Sequence, residues 1–162
     1  MQLILNAVLS ALKNAGLPAV AAFPRVGLDK KTPLICVGVR SEELETPGFG
    51  NYLGKQLRNG VPVELYGMKA SVTVLLDLYV PAERMEECQS LFEALSGAIA
   101  ALPSGLRIKR LIRGEMSPDT GVGMFRCPCS LEGTAYFCGA VEEDGNVWTD
   151  FVLRGVMNNE RE

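Results

Sequence analysis

The chain has no histidine among its 162 residues. Histidine is the side chain whose ordinary pKa lies near neutrality, and it is the commonest metal ligand and general base. Its absence excludes a Ser-His-Asp triad, a Cys-His pair, any His-based metal site and a His-Glu-x-x-His helix. Chemistry by carboxylates, Lys or Cys stays open, so the reading tilts towards a chain that binds or assembles and is not an enzyme. Blocks of basic residues are missing too. With 16 Lys and Arg against 19 Asp and Glu the net charge is −3, and no nucleic-acid footprint is visible. The nearest thing to one, Arg107-Ile108-Lys109-Arg110 with Arg113, alternates with Leu106, Ile108 and Ile112 and reads as the solvated face of a strand. No apolar run reaches the roughly 18–20 residues that span a bilayer. The apolar start Met1–Leu5 lacks a basic segment before it and reads poorly as a signal peptide. No internal repeat and no low-complexity segment is present.

What remains is a folded-protein composition, 48% hydrophobic and 22% charged, in a chain of single-domain length, 1–162. Five cysteines without framework spacing fit a reducing compartment better than a secreted disulfide scaffold.

Ile4, Ala7, Val8, Ala11, Leu12 and Ala15 fall on one helical face and predict a helix over about residues 2–15, with Gly16 as its left-handed stop. Pro18, Pro24 and Pro33 leave room for one short extended piece around Ala19–Phe23. Leu34–Arg40 reads as a central strand, apolar on both faces. Ser41–Gly60 is polar and Gly-rich, a long flexible loop or β-arm. In the stretch that follows, Val72, Val74, Leu76, Leu78 and Val80 line one face of the clearest strand. Pro81 opens a second helix with a stripe of Met85, Cys88, Leu91, Phe92, Leu95, Ile99 and Leu102, closed by Pro103. Strands are predicted at Leu106–Arg113, Val122–Leu131, Thr134–Val141 and Val147–Val156, with hairpin turns at Glu132-Gly133 and Asp144-Gly145-Asn146. The order gives an α+β domain, a single mixed or antiparallel sheet packed against two amphipathic helices.

If the chain turns at Glu132-Gly133, Cys127, Cys129 and Cys138 share one sheet face. Structural zinc needs four ligands and no fourth stands nearby, so these read as buried thiols. Gly121-Val122-Gly123 and Gly48-Phe49-Gly50 lack the strand-to-helix context of a phosphate loop. Glu42, Glu43 and Glu45 read as a solvated strand end, and Glu142, Glu143 and Asp144 as the polar approach to a turn. No catalytic, cofactor-binding or metal-binding residue is expected. Asp77 on the mixed strand face hints at an interface, with Tyr79, Thr73 or a partner chain to satisfy it. Phe49, Tyr52 and Leu53, apolar in a polar segment, either dock on a neighbouring subunit or fold back onto their own sheet. The late hairpins, with Trp148, Phe151 and Tyr136, offer edges for pairing with another chain.

Taken together, an N-terminal helix, the strand Pro33-Leu-Ile-Cys-Val-Gly-Val39, the polar excursion, Gly67-Met-Lys-Ala-Ser-Val-Thr-Val-Leu-Leu-Asp-Leu-Tyr-Val-Pro81, the helix Cys88-Gln-Ser-Leu-Phe-Glu-Ala-Leu95 and a strand-rich end closing on Val152-Leu-Arg-Gly155 resemble the tail terminator (tail completion) proteins of long-tailed bacteriophages and prophage-derived contractile particles. The resemblance implies an α/β fold without catalytic residues and a homo-oligomeric ring, commonly a hexamer, on the end of the tail tube. It implies partners in the tube protein, possibly the sheath and the head-tail connector, and a place in the virion tail after assembly in the bacterial host cytoplasm. By position, Ser41–Gly60 would be the arm reaching a neighbour. Arg107, Lys109 and Arg113 would offer charge complementarity to an acidic surface. Two other readings share the composition: another head-tail connector or baseplate protein, and a small cytosolic ligand-binding domain or Cys-dependent enzyme.

Overall fold

A computed structural model describes residues 2–21, 30–48, 50–102, 105–141 and 151–154, with the backbone alone for 140–141 and 151–154. The first helix, α1 (Gln2–Asn14), buries Ile4, Val8, Leu9 and Leu12, the spacing a 3.6-residue period requires. Gly16, at φ 76°, ends it. The Gly16 N–H donates to the Lys13 carbonyl at 2.9 Å and the Leu17 N–H to the Leu12 carbonyl at 3.0 Å, the paired bonds of a Schellman cap.

The strands follow as β1 (Ala19–Ala21), β2 (Leu34–Glu45), β3 (Tyr52–Arg58) and β4 (Val61–Val80). A 3-10 turn at Ala82–Arg84 leads into α2 (Glu87–Ala100), and then come β5 (Arg107–Arg113), β6 (Ser117–Asp119), β7 (Met124–Cys127), β8 (Cys129–Val141) and β9 (Phe151–Arg154). All nine form one mixed sheet. Among the described residues only β1 and β2 run parallel, and every other pair is antiparallel. The twenty-residue β4 is the spine. On one side it carries β3 and β2 end to end, and on the other β8 and β7; β8 in turn carries β9 and β5 along its far edge. Both helices pack on one face of this sheet, in a cluster that includes Ile4, Leu12, Ile35, Leu76, Leu95 and Leu131. The chain is thus an α+β domain of two helices on a sheet.

Burial along β4 changes phase. From Ala70 to Val80 the even positions Val72, Val74, Leu76 and Leu78 point to the helices, but near the strand's start the odd positions Val63 and Leu65 are the buried ones. The β4–β8 register runs unbroken from Glu64 to Leu75, so no bulge accounts for the change. The sheet therefore buries opposite faces at its two ends. The second, smaller cluster holds Leu53, Val63, Leu65 and Cys138, with Tyr136 against it.

Several sequence expectations are corrected. Glu132-Gly133 is no turn: β8 passes straight through it, pairing with β4 on one side and β5 on the other. Gly133 stands there because a Cβ would come within 2.8 Å of the Arg107 carbonyl oxygen, a need for space and not for curvature. The shared face of Cys127, Cys129 and Cys138 falls with that turn, since Cys127 and Cys129 belong to the cluster under the helices and Cys138, opposite Gly67, to the second one. The strand expected over Val122–Leu131 is broken at Pro128, which separates β7 from β8. Of the two readings of Ser41–Gly60, loop or β-arm, the arm is the one found: Ser41–Glu45 continues β2, and Tyr52–Arg58 forms a hairpin with β4. Asn59 and Gly60, at φ 52° and 78°, make the two-residue turn, as Asn-Gly does in type I′ hairpins. The helix expected from Pro81 begins with the separate 3-10 turn, and α2 proper starts at Glu87. The Asp144-Gly145-Asn146 turn, Trp148 and most of Val147–Val156 lie outside the described residues, as does Phe49.

Candidate assembly surface

The helices cover only the part of the sheet nearest them. Beyond, on the same side, the register sets Leu44 opposite Ala70, Tyr52 opposite Tyr66 and Leu57 opposite Pro62. All three partners are even positions of β4, so Leu44, Tyr52 and Leu57 point to one side of the arm, spaced about 13 Å apart along it at the usual strand rise. They are 54%, 44% and 54% exposed. The Tyr52 ring meets Tyr66 edge-on at 5.5 Å, and the Tyr66 hydroxyl donates to Glu64 at 2.9 Å, a bond that raises the Tyr66 pKa. Leu53, next in sequence to Tyr52, sits at a bulge and is buried in the second cluster. Of the aromatic-apolar trio singled out in the sequence, Leu53 folds onto its own sheet and Tyr52 stays outside.

The basic strand β5 also differs from its sequence reading. A register shift between Ile108 and Arg110 breaks the alternation, so Arg107, Lys109 and Arg113 do not share a face. Arg107 lies opposite Thr134, while Arg113 lies opposite the core residue Cys129, stacks over the Phe92 ring at 5.0 Å and donates to Gln89. Arg110 is held by Glu132 through two bonds of 2.7 and 2.9 Å, which lower the Glu132 pKa. Lys109 is exposed at the bulge.

Asp77 has a partner the sequence did not suggest. Arg126 from β7 reaches its Oδ2 with Nε at 3.0 Å and Nη2 at 2.7 Å. Asp77 is 8% exposed, and its Oδ1 is buried without a hydrogen bond from the described residues. The Tyr79 hydroxyl instead donates to Asp119 at 3.4 Å, and burial pushes that phenol up to about 12.

The cysteines divide among three clusters: Cys88, Cys127 and Cys129 under the helices, Cys138 in the second cluster, and Cys36 beside Tyr79 and Met124. Burial, then the Asp77 charge, lifts Cys36 to about 12. Burial and the neighbouring Cys127 lift Cys88 to about 11 and Cys129 to about 12. Such thiols stay protonated at neutral pH and make poor nucleophiles. Cys88 and Cys127 floor an open cleft of about 700 Å³ between the start of α2 and residues 113–116. Among the described residues no three His, Cys, Asp or Glu side chains converge to hold a metal ion, and no helix is long and apolar enough to cross a membrane. No protein-family model and no curated protein matches this chain.

Proposed function

We propose that this protein is a structural assembly subunit, a homo-oligomeric and by the resemblance hexameric ring that caps the tail tube of a phage or phage-tail-like particle and joins it to the neck. The observation that carries the reading is the line Leu44, Tyr52 and Leu57 on the part of the sheet that the helices leave uncovered. Isolated exposed apolar residues are ordinary, but a row of them on one side of an extended arm is what a subunit contact uses. The element order gives the tail-terminator resemblance, and the ordered β3–β4 hairpin supplies the arm expected to reach a neighbour. Protonated thiols at Cys36, Cys88 and Cys129 weigh against a Cys-dependent enzyme.

Negative-stain imaging of the purified chain, alone and mixed with assembled tail tubes, tests this. Rings alone and caps at one end of the tubes are expected. Rings that never engage tubes point to another joining or baseplate role, and single domains that ignore the tubes refute the assembly reading.

A further inference from the structure

Two outer segments on opposite sides of the sheet, one in β2 and one in β5, carry opposite charge. Across β2-β4-β8-β5, β2 pairs with β1 only at Ile35–Val37, which leaves the outer side of Val39–Glu45 with no strand among the described residues. That stretch holds Glu42, Glu43 and Glu45 against the single Arg40. On the far edge β5 pairs, among the described residues, only with β8, and it bears four basic residues and no acidic one. β5 is seven residues long, and the open stretch of β2 matches it.

We propose that the acidic β2 edge of one copy pairs with the basic β5 edge of the next, continuing the sheet from subunit to subunit; the inference rests on the ring reading above. Set antiparallel with Glu45 opposite Arg107, the two edges bring Leu44 opposite Ile108 and Glu43 opposite Lys109. The faces agree. Through their registers Glu45 and Arg107 lie on the side away from the helices, while Leu44 and Ile108 lie on the helix side. Glu43, Glu45, Arg107 and Lys109 are exposed. Glu45 already meets Lys69 at 3.2 Å, but both side chains face solvent, and a surface pair of that kind is weak enough to be shared.

The geometry also fixes the kind of assembly. Because the complementary edges lie on opposite sides of one subunit, each copy offers one of each, and the contact is head-to-tail, the type that makes a ring when the rotation from copy to copy closes and a filament when it does not. A two-fold dimer through either edge would set like charges against each other. Bulges at Val39/Ser41 and Ile108/Arg110, together with the charges, discourage indiscriminate edge pairing.

The test uses two variants of the full chain, Glu43→Lys/Glu45→Lys and Arg107→Glu/Lys109→Glu, measured by light scattering coupled to size exclusion. Each alone should lower the subunit association constant roughly 30-fold or more, with high salt weakening the wild type in the same direction. Mixed in equal amounts, the two edges exchanged between them cannot re-pair within one variant but can pair between variants. Alternating copies then satisfy every contact, the reversed β2 edge of one variant meeting the reversed β5 edge of the other and the two native edges meeting likewise, so the mixture should recover oligomers, as should the four-fold variant carrying both reversals on its own. Circular dichroism and a urea midpoint confirm that each variant folds. Wild-type oligomers indifferent to both reversals overturn the edge contact and leave the ring reading standing. A wild type that stays monomeric up to about millimolar concentration overturns the edge contact, and the tube-capping images then decide the wider reading on their own.

Discussion

Gly67 is the position where one added methyl group should do most damage. It lies in β4 opposite Cys138, and a Cβ there would sit 1.8 Å from the Phe137 carbonyl oxygen of β8. The obstacle is backbone, so no rotamer relieves it, and the strands must part by about 1 Å or more. That loosens one or two ladder bonds at about 1 kcal/mol each. Overpacking adds about 1–3 kcal/mol, because the nearby Leu65 and Cys138 belong to the second cluster. Gly67→Ala should therefore cost about 2–5 kcal/mol of a total near 5–15 kcal/mol. With a urea slope of about 1–3 kcal/mol/M, the midpoint should fall by about 1 M or more. Gly38→Ala is the control: it lies in β2, has no atom within 4 Å of the added Cβ and keeps an ordinary φ, so it should be neutral or stabilising by up to about 1 kcal/mol. Equal midpoints for the two variants would refute the close approach of β4 and β8 at the face change.

Stability should also fall at high pH. Burial holds Cys36 and Cys129 at about 12 and Cys88 at about 11 against an ordinary 9.0, so the folded chain keeps protons that the unfolded chain releases. The contribution is intact below about pH 9 and is lost as pH rises towards 11–12; a urea midpoint that stays flat over this range would contradict it. Arg126→Leu leaves the Asp77 carboxylate buried and should cost about 2–3 kcal/mol, less than a fully buried pair because the Arg126 side chain is 41% exposed. Asp77→Leu with Arg126→Leu should recover most of that loss in denaturant titrations. Replacing Leu44, Tyr52 and Leu57 with Ser should change stability by no more than about 0.5 kcal/mol per site while abolishing rings in micrographs. Lost stability with intact rings would show the line to be structural.

Local signals in the sequence were read well where they acted alone. The period of α1 and the left-handed Gly16 needed no tertiary partner, and both helices and the even-numbered stripe of β4 follow from spacing. The Asn59-Gly60 hairpin was equally legible, and reading Ser41–Gly60 by its polarity passed over it. Polar residues there are strand residues on an arm with solvent on one side, where composition says little about backbone pairing. Glu132-Gly133 misled for the opposite reason: a glycine that makes room for a neighbouring backbone looks the same in sequence as one that turns. The Asp77–Arg126 pair spans 49 positions and depends on β7 lying against the end of β4, which no local pattern specifies.

The uncovered arm follows from a mismatch of lengths. At about 1.5 Å per residue, α1 and α2, of 13 and 14 residues, each span about 20 Å. The twenty residues of β4 reach about 65 Å at the usual strand rise. Two helices on one side of such a strand leave most of its length without helical cover. The chain meets part of that deficit by turning Val63 and Leu65 to the other face, where they close the second cluster with Leu53 and Cys138. The helix side of the arm then has no cluster of its own to build, and polar side chains would serve a monomer best there. Leu44, Tyr52 and Leu57 stand there instead, which is the arrangement expected of a surface completed by another copy of the chain.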